Sequence, residues 1–252
     1  MRFFVGLHQP SDTKHFDAAF ISVHRLTGRN ERKSPMQIRD WIMDSGAFST
    51  IQMHGGYPEP VSVYAGHIRK WKDCGNLLAA VAQDYMCERV MLERTGLTIA
   101  THQCLTIGRY DLLIAEDTGV YIMPVLQGYA PQDYVTHIRM YGDRLAPGAW
   151  VGVGSVCKRN ANPDAVVQVL RAIKKERPDL RLHGFGLKTT ALENADVVDM
   201  LYTADSMAWS FAARKQGRDS NNWKEAAAFA QRIAGNMLAA SNQPRQLAME
   251  FE

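Results

Sequence analysis

The sequence predicts an α/β fold built as one (β/α)₈ barrel of the TIM type, and three observations carry that expectation. Short apolar runs alternate with segments of helical spacing along nearly all of the 252 residues, the pattern of a parallel sheet with crossover helices. Most runs close on a polar residue or a glycine: Asp44, Asp84, Gln127, Gly154, Gly184 and Asp205. In a barrel of parallel strands those ends converge on one mouth, which favours a barrel over an open doubly wound sheet. No linker or shift of composition marks a second domain, so residues 1–240 read as a single barrel and 241–252 as a frayed tail.

Phe3 to Leu7 is a first buried strand, closed by His8, Gln9 and Pro10. The polar and basic stretch that follows, including Arg25 to Pro35, reads as an exposed excursion. Trp41 to Met43 is the second run, ending in Asp44-Ser45-Gly46-Ala47-Phe48. Val61, Tyr64, Ile68 and Trp71 then recur at helical spacing. Leu77 to Ala82 is the third run and leads into Gln83-Asp84-Tyr85. Glu88 to Glu116 holds one or two helices, and Tyr121 to Leu126 is the fourth run, closed by Gln127-Gly128-Tyr129. Pro131 to Arg144 is helical, and Trp150 to Val153 is the fifth run, passing into Gly154-Ser155. Asn162-Pro163-Asp164 opens a helix on Val166, Val169, Leu170 and Ile173, with proline in the first turn where its missing N–H is harmless. Leu180 to Phe185 is the sixth run, Thr190 to Ala195 a brief helix, and Val197 onward the seventh run, ending at Asp205. Trp223 to Leu238 closes the chain as an amphipathic helix. The eighth strand is left open: short, within Met207 to Ala212, or missing.

Composition excludes several classes. A hydrophobic fraction of 46% over this length supports one large core. A net charge of +3 gives no whole-surface field, so any nucleic-acid binding must come from local patches. Cys74, Cys87, Cys104 and Cys157 contain no C-x-x-C pair, which indicates neither a zinc site nor a disulfide framework and fits a reduced, cytoplasmic setting. The opening MRFFVGLHQP is too briefly apolar for a signal segment or a membrane span.

The strand ends suggest chemistry at a sugar carbon. Of two carboxylates at one mouth, one can attack an anomeric centre while the other shuttles the leaving group's proton. Asp205, at the end of the seventh run with Arg214, Lys215 and Arg218 behind it, suits a nucleophile acting on an anionic substrate. The alternative is that it caps the next helix. A further carboxylate with an amide and glycine N–H groups, as at Asp84, Gln127 and Gly154, could read the edge of a planar heterocycle. The plain alternatives are packing glycines and a satisfied amide.

Six segments in order, DSGAF (44–48), QDY (83–85), VLQGY (125–129), VGVGS (151–155), HGFGL (183–187) and VDMLYTADS (198–206), resemble the signature segments of the tRNA-guanine transglycosylase superfamily. The most specific is DSGAF, close to the family's DSGGF or DSGGY, and the resemblance spans about Trp41 to Arg214. It implies that Asp44 is the general acid/base and Asp205 the nucleophile of a covalent glycosyl-enzyme intermediate. It also implies that Phe48 stacks on the base, Asp84 reads its ring nitrogen and exocyclic amine, Gln127 faces its carbonyl oxygen, and Gly154 is a backbone donor beside it. Ser45, His183 and Gly184 stand with these as substrate-binding residues, and Lys158, Arg159, Trp209, Arg214, Lys215 and Arg218 as nucleic-acid-binding residues.

The departures from the tRNA enzymes are as informative. Their C-x-C-x-x-C zinc cluster is missing, since no cysteine follows Cys157, and the run after Asp205 lacks the usual P-T-R. A zinc-free chain of this length looks more like the deazapurine DNA modification (DpdA-type) branch of phages and bacterial modification clusters. That branch is implied to exchange guanine in DNA for a 7-deazaguanine such as the 7-cyano form. The expected partners are therefore DNA and a free guanine or 7-deazaguanine base, with no metal, cofactor or membrane. The alternatives are the same exchange on tRNA, an inactive nucleic-acid-binding barrel, and an unrelated barrel glycosidase, which would gain nothing from Gln127 and the glycine donors.

Overall fold

A computed structural model describes residues 1–32, 36–156 and 162–242. One sheet of parallel strands forms the centre: β1 (Arg2–Gly6), β2 (Ala18–Ser22), β3 (Asp40–Asp44), β4 (Asn76–Val81), β5 (Ile122–Met123), β6 (Val125–Leu126), β7 (Trp150–Val153), β8 (Arg181–Gly184) and β9 (Leu201–Ser206). Their order is β5-β4-β3-β2-β1-β9-β8-β7-β6.

The two ends of that order are one stretch of chain. Pro124 has no N–H to give and splits the stave into β5 and β6. Its carbonyl still accepts from Gly152 N–H at 2.8 Å, while Met123 O accepts from Ala82 N–H at 3.0 Å. Residues 122–126 therefore pair with β4 on one side and β7 on the other, and eight staves form the barrel.

Around it pack α1 (Ala47–His54), α2 (Val61–Trp71), α3 (Arg89–Thr95), α4 (Ile99–Ala115), α5 (Pro131–Tyr141), α6 (Pro163–Glu176), α7 (Thr189–Leu192), α8 (Ala195–Met200), α9 (Ala208–Lys215) and α10 (Trp223–Asn242). The periodic residues face inward as their spacing requires. Val61, Tyr64, Ile68 and Trp71 are buried on α2, and Val166, Val169, Leu170 and Ile173 on α6. Asn162 caps α6 by accepting from Ala165 N–H at 3.3 Å. Among the described residues no helix is long and apolar enough to cross a membrane.

Two expectations need correction. The remaining strand is β2, inside the stretch read as an exposed excursion, while Met207 to Ala212 falls largely in α9. Its run Ala18-Ala19-Phe20-Ile21 is short and set among polar residues, but β1 and β3 cover both its edges and three of its five residues are buried. The seventh run divides as well. Val197 and Val198 lie on α8, whose first turn Asn194 caps, and the strand starts only at Leu201.

Candidate active site

Parallel strands put all their C-terminal ends on one rim, and that rim collects the polar residues. Asp44 is the last residue of β3, and Asp84 follows β4 by three positions. Gln127 and Gly154 directly follow β6 and β7, Gly184 ends β8, and Asp205 is the penultimate residue of β9. Asp44 and Asp205 thus share one end of the barrel, separated only by β2 and β1.

Asp44 is half-buried and opens on a cleft of about 550 Å³ shared with His8, Arg25, His54 and Met207. Burial, and then the charge of Asp205, push its carboxyl up to about 6, although Gly46 N–H and the Ser22 hydroxyl donate to it. A carboxyl in that range can both hold and release a proton near neutrality. The turn that follows depends on Gly46, whose φ of +70° is left-handed and whose missing Cβ would lie 2.3 Å from the His24 ring. Next to it, the Ser45 hydroxyl is buried and has no hydrogen-bond partner among the described residues. Phe48, in the first turn of α1, is 39% exposed beside the mouth.

Asp84 lies deeper. Burial is the main cause that raises its carboxyl to about 7, with Asp44 adding to the rise and the hydrogen bond from Gln127 opposing it. The Gln127 side-chain amide donates to Asp84 Oδ2, and its Oε1 accepts the Ser155 hydroxyl at 2.7 Å. Ser155 also receives Cys87 N–H at 2.9 Å, and it holds a left-handed φ of +56°, a strained conformation for a residue with a side chain. Gly154 makes room for this arrangement, because a Cβ there would lie 2.1 Å from Gln127 Nε2. Its own N–H is occupied by Leu126 O at 2.9 Å, so in this structure Gly154 supplies space rather than a free donor. Gly154→Ala is expected to push Gln127 off Asp84 and to lower stability by about 1–3 kcal/mol, as overpacking does. Thermal melts beside wild type check it.

Asp205 is buried at the end of β9, and its Oδ1 takes Gly186 N–H at 3.1 Å and faces His183 Nε2 at 3.2 Å. Leu187 N–H binds its backbone carbonyl at 3.0 Å. The HGFGL turn therefore wraps the aspartate, with Gly186 at a φ of +61° turning its N–H inward. Gly184 leaves space for Leu187, which a Cβ there would meet at 2.6 Å.

A protein-family model described as DpdA, DeoxyPurine in DNA protein A, matches residues 1–237. The chain belongs to the DpdA family. Membership gives it a transferase role in deazapurine modification of DNA, with DNA as its substrate. No curated protein matches the chain.

In this DpdA chain the cations expected to meet DNA separate. Arg214 and Lys215 sit in the exposed last turn of α9, over the half-exposed ring of Phe211 at 5.5 and 5.1 Å. Arg218 is committed elsewhere: it grips Glu225 at 2.6 and 2.7 Å and ties the chain after α9 to α10. Trp209 is corrected to a core residue, 3% exposed, with its indole N–H on Gly6 O at 2.8 Å. Lys158 and Arg159 lie outside the described residues. Arg25, which the sequence offers only as part of the phosphate-binding face of an inactive barrel, stands at the mouth itself. It lines the Asp44 cleft, donates to His8 Nδ1 at 3.1 Å, and with Arg214 adds to the effect of burial in lowering the His8 imidazole. Ser155 stands outside the candidates drawn from the sequence, although the strand-end rule applied to VGVGS points to it.

Asp84 supports a pH prediction for this DpdA site. Its raised value means that the folded chain holds a proton which the unfolded chain has already released, from the usual carboxylate range up to about 7. Stability contributed at this site is thus lost as pH rises through that window. Asp84→Asn, neutral throughout, is expected to be more stable than wild type near pH 8. That advantage should shrink near pH 5, by on the order of 2–3 kcal/mol. Urea melts at the two pH values test it, and an advantage that grew toward acid would contradict it.

Proposed function

We propose that the chain exchanges guanine in DNA for a 7-deazaguanine base, such as the 7-cyano form, by double displacement. It resembles the tRNA-guanine transglycosylase superfamily in its ordered motifs and acts on DNA as its family does. The observation that carries the reading is the carboxylate pair at one rim, where Asp44 is raised to about 6 in part by the charge of Asp205.

In the first displacement an Asp205 oxygen attacks C1′ of the target nucleotide, and the C1′–N9 bond breaks. Its electron pair leaves with guanine, which takes a proton from Asp44. The product is an ester between Asp205 and the sugar. In the second displacement Asp44, now ionised, removes the proton of the incoming base, whose nitrogen attacks C1′ and frees Asp205. Asp44 ends protonated, ready for the next guanine.

Asp84 and Gln127 read the edge of the base, the Ser45 hydroxyl meets it with a buried donor, and Phe48 stacks on its face. Because Gln127 donates to Asp84 here, an entering base displaces that bond and takes up both groups. Placing the base in such a pocket requires a flipped nucleotide or a single strand. Arg25, Arg214 and Lys215 then meet the phosphates beside it.

The test incubates the protein with DNA and with tRNA, each carrying labelled guanine, adds 7-cyano-7-deazaguanine, and measures label released. Release from DNA alone is expected. Release from tRNA alone would move the substrate to RNA, and release from neither would favour a binding barrel without activity.

A further inference from the structure

His183 cannot meet a base where it stands. Its ring is fully buried, stacked on Phe20 at 5.5 Å with Phe185 at its edge at 4.7 Å, and both nitrogens are taken by protein groups. Nδ1 lies 2.8 Å from Thr203 Oγ1, and Nε2 lies 3.2 Å from Asp205 Oδ1. Trp150 Nε1–H, which can only donate, points at the same Thr203 oxygen at 2.8 Å. With that oxygen accepting from Trp150, the Thr203 hydroxyl proton is free to go to His183 Nδ1. The ring proton then sits on Nε2, facing the aspartate, an assignment made from the hydrogen-bond network.

We infer that His183 is a positioning residue whose Nε2–H, with Gly186 N–H, holds Oδ1 of Asp205, so that Oδ2 is the attacking atom and the aspartate is a good leaving group. This rests on Asp205 being the nucleophile. Among the described residues Oδ2 carries no hydrogen bond, so one oxygen is fixed and the other is open.

The two half-reactions use this arrangement differently. Attack converts the carboxylate to an ester and dissipates its charge, so donors on Oδ1 orient the group but also stabilise the reactant. In the second half the C1′–Oδ2 bond breaks and the charge returns to Asp205, where both donors stabilise it as it forms. Loss of His183 should therefore burden the second half far more than the first, whereas general loosening of the barrel would burden both alike.

The experiment separates the halves in single turnovers. Release of labelled guanine from DNA reports the first, and decay of the protein–DNA adduct on addition of 7-cyano-7-deazaguanine reports the second. His183→Gln carries its amide nitrogen about where Nε2 stands, and His183→Asn carries it about where Nδ1 stands.

His183→Asn is expected to slow adduct decay by about 10²-fold and guanine release by less than about 10-fold, while His183→Gln stays within about 3-fold of wild type in both. Thr203→Val, which keeps the ring but removes the hydroxyl that sets its tautomer, should show the same asymmetry more weakly. It decides the matter if His183→Asn does not fold. Equal slowing of both halves, His183→Gln as slow as His183→Asn, or no effect of any variant overturns the inference. An adduct that still forms in Asp205→Asn instead overturns the reading of the nucleophile itself.

Discussion

Asp205→Asn is expected to fold, to bind DNA, and to form no covalent adduct on a denaturing gel, with guanine release falling to background. The amide keeps an oxygen for Gly186 N–H and for His183 Nε2, 3.1 and 3.2 Å away in the wild type, so the turn around residue 205 survives. What it loses is a charged oxygen able to displace a base from C1′. The change also removes the second-largest cause of the raised Asp44 carboxyl, so Asp44 should titrate below its present value of about 6. Fewer repelling charges at the mouth should leave the variant at least as stable as wild type at neutral pH. A melt at or above the wild-type temperature, together with the missing adduct, separates loss of chemistry from loss of fold. An adduct of undiminished yield would remove Asp205 from the nucleophile's place.

Much of this barrel was legible because a buried parallel strand is an apolar run, and its end is where polar residues can emerge. That rule located Asp44, Asp84, Gln127 and Asp205 at one rim from the sequence alone, with the family segments naming a role for each. It failed at β2, where three buried residues of five owe their burial to the strands on either side rather than to the length of the run. It also misplaced the start of β9, because Val197 and Val198 are as apolar on a helix as in a strand.

The pairings inside the mouth are another matter. Gln127 on Asp84 joins residues 43 apart in sequence, and His183 on Asp205 joins residues 22 apart. No local spacing encodes either, and both change what the residue does. Trp209 is a nucleic-acid-binding candidate in the sequence, yet Gly6 O, 203 residues away in the chain, accepts its indole N–H inside the core. Arg218 shows the same for charge: a cation in a basic stretch is available to phosphate only if no carboxylate such as Glu225 reaches it first.

Asp44→Asn is expected to keep the nucleophile and lose the proton, slowing overall exchange by roughly 10²- to 10⁴-fold. In wild type the group acts as acid in the first displacement and as base in the second, which is why a value raised to about 6 suits it. Below that value the second half lacks its base, and above it the first half lacks its acid, so wild-type exchange should give a bell-shaped pH profile, both limbs of which should flatten in Asp44→Asn. The leaving base provides the sharper check. DNA carrying 7-methylguanine already bears a positive charge on the departing base and needs no proton to leave. Guanine release should therefore separate the two proteins by orders of magnitude, while release of 7-methylguanine should separate them little. Adduct from the methylated DNA should accumulate in Asp44→Asn, because the incoming base finds no group to deprotonate it. If the adduct instead vanished in Asp44→Asn and persisted in Asp205→Asn, the two roles would be exchanged. If neither substitution changed the exchange rate, the chemistry would lie away from this mouth.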